Sequence, residues 1–167
     1  MKKLIYIILL FGIYSKAQIS IGKPNVDGSS TILDFDQTST NSKGIILPAV
    51  TNTTAVIPTN GTFLFDTQEK KIRMYENNSW KNLSETGDDS KIFMNSSEDI
   101  GNGVIIGSES SSAIGILVLE SVDKAMILPK IENPHLTVKN PYVGMICYDT
   151  TSKSMAVFDG LNWNYWK

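Results

Sequence analysis

Asp34 and Asp36 are the residues of this sequence whose types and spacing could most readily do chemistry. Side chains two residues apart on a strand lie on one face, and paired carboxylates can hydrolyse glycosides or bind calcium. A second copy of the same strand carries Val118 and Glu120 instead. Because the pair is not repeated, the pattern favours a solvated strand face over a glycosidase or calcium site.

His135 and Cys147 each occur once. One histidine with no cysteine or histidine at zinc-site spacing predicts no metal centre. Cys147 lies between apolar residues with no basic neighbour in sequence to activate it, which is typical of a small buried hydrophobe. Ser121 and Lys124 match a Ser-x-x-Lys pattern but lack the companion motifs of penicillin-recognising enzymes. The sequence therefore predicts a non-enzyme with no catalytic residue, metal or cofactor.

The elements that carry these residues occur twice. Residues 61–80 and 144–163 match at an offset of 83, and residues 43–48 and 124–129 match at an offset of 81. Each copy reads as a strand, an Asp-Thr turn, a second strand, a tight turn and a tryptophan on a third strand. Folding alone explains the recurring landmarks, which are Gly61, Gly144, Asp66, Asp149, Pro48 and Pro129.

Short alternating or apolar runs separated by turn residues predict strands throughout. No apolar repeat of helical spacing extends over three turns, so the predicted class is all-β: two tandem repeats, each with short strands and a three-stranded β-meander. Residues 31–36 are expected to form a half-buried strand, and residues 49–60 a loop with at most one helical turn. In the first meander, Phe63 and Phe65 share one face, as do Ile72 and Met74.

The N-terminus has the features of an export signal. Lys2 and Lys3 precede an apolar stretch that is too short to span a bilayer. Small residues at positions 15 and 17 then match the cleavage site that a signal peptidase recognises. The predicted domains are a signal peptide at 1–17, β-repeat 1 at 18–83, a polar linker at 84–102 and β-repeat 2 at 103–167. The expected location is extracellular, on the cell surface or in the periplasm.

Charge and cysteine content limit the partners. The chain carries 15 basic and 17 acidic residues, and loss of three lysines with the signal leaves 12 against 17. Such scattered acidity excludes a nucleic-acid surface, and no later segment is apolar enough to span a membrane. One cysteine allows no intrachain disulfide. Since a repeat of this size is marginally stable alone, association is favoured; a homotrimer is the form expected if the protein is fibre-like.

The motifs resemble repeats in exported proteins of Bacteroidetes, especially flavobacteria. The resemblance lies in Lys43-Gly44 with Pro48, in Gly144 with Tyr148-Asp149-Thr150, and in Asp159-Gly160 with Trp163. These positions match the family's Lys-Gly-x-x-x-Pro and Gly-x-x-x-Tyr-Asp-Thr patterns and, with Asp in place of Asn, its Asn-Gly-x-x-Trp pattern. Such repeats often occur in surface proteins or phage tail-fibre-like proteins, so the resemblance implies a structural module without known catalytic residues. Asp149-Thr150-Thr151 also resembles an O-glycosylation pattern of these bacteria, which marks Thr150, although a turn explains it equally well.

The favoured hypothesis is an exported, non-enzymatic structural or interaction protein, surface-bound or fibre-like, whose partner is an unidentified protein or glycan at the cell exterior. The alternative is a carbohydrate-binding module that uses exposed aromatic side chains, because aromatic rings can stack on sugars. Its candidate residues are Trp80, Trp163, Tyr165 and Trp166.

Overall fold

The structure is a computed structural model that describes residues 18–93, 101 and 103–167; the predicted signal peptide lies outside these residues. The first half contains β1 (Ile19–Ile21), β2 (Thr31–Phe35), β3 (Ile45–Ile46), β4 (Ala49–Val50), β5 (Phe63–Asp66), β6 (Lys71–Glu76) and β7 (Ser79–Asn82). The second half contains β8 (Val104–Ile106), β9 (Leu117–Leu119), β10 (Ala125–Met126), β11 (Lys130–Ile131), β12 (Met145–Asp149), β13 (Ser154–Phe158) and β14 (Trp163–Trp166). Among the described residues, the one α-helix is the short α1 (Pro134–Thr137), and a 3₁₀ turn spans Thr53–Ala55. The predicted all-β class is confirmed.

The two repeats have the same strand register. Sheets β4-β5-β6-β7 and β11-β12-β13-β14 each consist of one parallel pair followed by an antiparallel meander. Facing residues correspond at the sequence offsets of 81 and 83. The equivalent pairs are Ala49–Phe65 with Lys130–Tyr148, Phe63–Met74 with Ile146–Val157, and Tyr75–Trp80 with Phe158–Trp163.

Parallel pairing extends beyond the meanders. β1 pairs with β2, β2 pairs with β10, and β8 pairs with β9, all in parallel. The chain is thus arranged as a β-solenoid with stacked repeats. The sequence analysis was wrong on one point here: residues 49–60 are not only a loop, because β4 adds a fourth strand to the first meander. The helical turn allowed in that stretch is present at Thr53–Ala55.

One large apolar cluster contains residues of both repeats. Phe65 and Ile72 of the first repeat and Ile146 and Val157 of the second belong to one buried cluster. Phe63 and Met74 pack against this cluster, which confirms the predicted faces of β5 and β6. Neither meander therefore has a core of its own on this face.

Two smaller clusters complete the interior. Ile32 and Leu33 on β2 pack with Ile106 on β8, so the solenoid strands of the two repeats also share a core. Ile131, Cys147 and Ala156 form the third cluster on the other face of the second meander, with Trp163 packed against it.

Residues 84–91 pack against the second repeat. Ser84 is buried, the Gly87 amide donates to the Lys70 carbonyl at 2.7 Å, and the Asp88 amide donates to the Asp159 carbonyl at 3.0 Å. A Cβ on Gly87 would lie 2.0 Å from that same Asp159 oxygen. Any residue with a Cβ at position 87 would therefore clash with the backbone of Asp159. The domain boundaries themselves stay a prediction.

Candidate interaction surface

The prediction that Asp34 lies on a solvated strand face is wrong. Its side chain is 0% exposed and forms an ion pair with Lys23 at 2.5 Å. The carboxylate also accepts hydrogen bonds from the backbone amides of Asp27 and Phe35. Burial alone would raise the pKa of the Asp34 carboxyl, but the Lys23 ammonium and these amides outweigh it and hold the pKa below its ordinary value. Asp34 therefore fixes the loop between β1 and β2.

Asp36 belongs to a different environment. Its carboxylate accepts from the backbone amide and hydroxyl of Thr38 in a local turn. Among the described residues, no group of three or more acidic, histidine or cysteine side chains could hold a metal ion. The pair that suggested hydrolysis is one buried, fully bonded carboxylate beside one turn residue.

Asp34→Asn is expected to lower the free energy of unfolding by about 3 kcal/mol at neutral pH, because it leaves Lys23 without its buried counter-ion. The folded pKa of the Asp34 carboxyl is depressed, so its contribution is present above the unfolded pKa of about 3.9 and is lost as pH falls through the folded value. Urea unfolding at neutral pH and at about pH 3 tests both points. The difference between wild type and variant should shrink in acid.

Asp36→Asn is the matched control and is expected to change stability by less than about 1 kcal/mol. Equal losses for the two variants, or a loss for Asp34→Asn that does not shrink in acid, would contradict the assigned role.

Cys147 is a buried hydrophobe, as predicted. Its thiol is 0% exposed, and burial, with a smaller contribution from the Asp149 charge, raises its pKa to about 12. His135 lies exposed on α1, where its Nδ1 is 3.0 Å from the Tyr165 hydroxyl. A buried thiol with a raised pKa is not an activated nucleophile.

The landmark aspartates close equivalent turns. Asp66 is buried and accepts from the Gln68 amide and from Arg73 at 2.6 Å. Asp149 is buried and accepts from the amides of Asn133 and Thr151. Burial alone would raise the pKa of the Asp149 carboxyl, but hydrogen bonds from Ser152 and these amides outweigh burial and hold the pKa below its ordinary value. These contacts explain in folding terms why the Asp-Thr motif recurs.

The other landmarks lie where the parallel strands meet. The carbonyls of Pro48 and Pro129 accept equivalent bonds from Phe65 and Tyr148, both at 2.9 Å. Thr150 is exposed at the end of β12, and its amide donates to the Ile131 carbonyl. Glycosylation of Thr150 stays a prediction.

The four aromatic candidates are divided between surfaces. Trp80 stacks edge-on against Tyr75, with the Arg73 guanidinium 5.7 Å from its ring centre. Along β14, Trp163 and Tyr165 lie on one face of the strand, and Trp166 lies on the other. Trp166 donates from Nε1 to the Leu83 carbonyl at 2.6 Å. No single aromatic platform joins them, and their role in binding stays a prediction.

Sequence reasoning missed an open edge of the second repeat. Met126, Ile127 and Leu128 line an apolar groove together with Lys130 and Tyr148. Leu128 and its equivalent Leu47 both pack against the shared core, whereas Met126 is 38% exposed and its equivalent Ile45 packs against that core. The offset of 81 between the repeats was the signal that could have revealed this asymmetry.

The fold defines a class: an all-β solenoid with stacked repeats, whose second repeat has an apolar groove at the exposed Met126. Residues 19–98 match the family model described as a phage tail like trimerisation region. The match spans the first repeat and the segment that follows it. No curated protein and no solved structure matches the chain. No helix in the described part of the chain has the length and apolar character of a membrane span.

Proposed function

We propose that the protein is an exported, non-enzymatic structural component of a fibre-like assembly, and that it works as a homotrimer. The observation that carries the proposal is the match of residues 19–98 to a phage tail like trimerisation region. The β-solenoid, whose carboxylates and thiol serve folding, supports a structural role. The open groove at Met126 supplies an apolar surface that association would cover.

Export rests on the signal-like segment at residues 1–17. The product would then function at the cell surface, outside the cell or in the periplasm, where it meets a protein or glycan. The resemblance to exported repeats of flavobacteria supports the same location. Intact-mass spectrometry of the protein purified after expression of the full sequence should show a chain that begins at Gln18.

The solution mass tests the assembly. Light scattering behind a sizing column is expected to give three times the mass of the single chain. A mass equal to one chain would overturn the proposed assembly and would favour a free binding module. In that case, a shift of tryptophan fluorescence on addition of glycans would support the alternative of a carbohydrate-binding module.

A further inference from the structure

β3 of the first repeat completes the sheet of the second repeat. Ile45 faces Ile146 and Ile46 faces Met145 in antiparallel register, and the Leu47 amide donates to the Gly144 carbonyl at 3.0 Å. β3 and β11 therefore pair with the same edge of β12. β3 covers the beginning of β12, and β11 covers its end.

In the described part of the chain, no strand pairs with the equivalent edge of the first repeat. Subtracting the offset of 83 places Gly61 and Phe63 where Gly144 and Ile146 lie. Among the described residues, β4 pairs only with Phe65 and Asp66, so no strand covers β5 at Phe63. A Cβ on Gly144 would lie 3.3 Å from the Leu47 oxygen, whereas a Cβ on Gly61 would meet nothing within 4 Å. The start of β5 is an unpaired strand edge.

β10 is the counterpart of β3, and β2 is the strand that it pairs with among the described residues. The amides of Ala125 and Ile127 donate to the carbonyls of Ser30 and Leu33 on the β2 side. Because alternate residues of a strand direct their backbone groups to opposite edges, Met126 and Leu128 face away from β2. Met126 is 38% exposed, and it is the equivalent of Ile45, which pairs with Ile146.

We propose that a second copy of this chain supplies the missing strand. β10 of one copy pairs antiparallel with the start of β5 of the next, with Met126 opposite Phe63 and Ile127 opposite Thr62. The Leu128 amide donates to the Gly61 carbonyl. This register is the internal contact of β3 with β12, shifted by the repeat offsets. The inference rests on the proposed function, since it names the partner and the contact of the assembly.

The side chains at both edges suit this contact. Leu128 joins the groove to the shared core, against which it packs, and Met126 lies exposed at the position where its equivalent Ile45 packs near Ile146. In the next copy, the residues equivalent to Ile146 and Val157 are Phe63 and Met74, which are apolar and half-buried. Pairing would extend the apolar core of one copy into the next.

The same shift predicts a second strand pair. Leu33 pairs with Ile19 of β1 and Leu117 pairs with Val104 of β8, so Leu117 is the equivalent of Leu33. Met126 lies beside Leu33 on β2, so Ile45 of the next copy would lie beside Leu117 on β9. Leu117 is 47% exposed, and the contact would cover it. Because the donor and acceptor edges differ, the interface is head-to-tail, and it closes into a ring when the rotation permits. A ring of three satisfies the proposed trimer.

Engineered disulfides test the register. Facing residues of antiparallel strands lie about 4.5–5.5 Å apart at Cα, which a disulfide can bridge. The Thr62→Cys, Ile127→Cys double variant is expected to convert most chains under oxidation into covalent oligomers on a non-reducing gel. Each single variant should stay uncrosslinked, and a mixture of the two should give covalent dimers. The native Cys147 is buried, so it does not interfere.

The matched control is Ile46→Cys, Met145→Cys, which should form the equivalent disulfide within one chain. If this control crosslinks and the wild type is oligomeric, but the Thr62→Cys, Ile127→Cys protein does not link between chains, the proposed contact is overturned while the proposed function stands. Crosslinking of Thr62→Cys alone would overturn the head-to-tail arrangement. A wild-type mass of one chain would overturn the proposed function itself.

Discussion

Replacing Phe65 with alanine is expected to lower the free energy of unfolding by about 3–5 kcal/mol. Phe65 is 0% exposed and belongs to the first repeat, but its cluster includes Ile146 and Val157 of the second. The cavity should therefore weaken both repeats. Urea unfolding of wild type and variant at one fixed protein concentration gives the difference, because assembly makes stability depend on concentration.

Cys147 reports whether the damage crosses between repeats. It is buried on β12 of the second repeat, so its reaction with a thiol reagent requires that repeat to open. We expect Phe65→Ala to speed this reaction and Ile57→Ala, at a 69% exposed position, to leave it unchanged. An unchanged rate in Phe65→Ala, alongside loss of structure in the first repeat, would show that the repeats do not share a core.

Gly87→Ala is expected to lower the free energy of unfolding by about 3 kcal/mol, the upper end of typical overpacking effects, or to detach residues 84–91 from the second repeat. The added Cβ would lie 2.0 Å from the Asp159 carbonyl oxygen and 2.7 Å from the carbonyl carbon. Backbone atoms cannot rotate away as a flexible side chain could. On the other side of the contact, a Cβ on Gly160 would meet the Asp88 oxygen at 2.0 Å.

The melting temperature and the rate of tryptic cleavage after Lys91 measure the effect of Gly87→Ala. Gly115→Ala is the matched control, because a Cβ there meets its nearest atom at 3.5 Å and its φ is not positive. The control should melt close to wild type. Gly87→Ala with wild-type melting and wild-type cleavage would mean that the contact with Asp159 does not hold residues 84–91.

The meanders could be predicted from the sequence because their signals are local. Strand alternation places Phe63 and Phe65 on one face, and the hairpin residues Asn77 and Asn78 do adopt the positive φ angles of 48° and 59° that a tight turn requires. The internal repeat then carried the same prediction to the second copy. Each of these features depends on residues within about 20 positions of one another.

The features that sequence reasoning missed depend on distant residues. β4 has two residues, which is too short to give a periodic signal, and its parallel partner follows a loop. Asp34 reads as a solvated residue because its partner Lys23 lies on a turn eleven positions earlier, beyond any strand or helix spacing. The shared core joins residues some 80 positions apart. A repeat offset shows that two segments have similar sequences, but it does not show that residues of one repeat complete the core or the sheet of the other.

The most direct test of this account compares the solution mass of wild type with that of Met126→Lys. A lysine at the free edge of β10 would place its charge against Phe63 of the next copy, and lysine on a strand edge disfavours pairing. Ile57→Lys is the control at an exposed site outside both edges. We expect an oligomer for wild type and Ile57→Lys, and a folded single chain for Met126→Lys. A Met126→Lys protein that keeps the wild-type mass would contradict it.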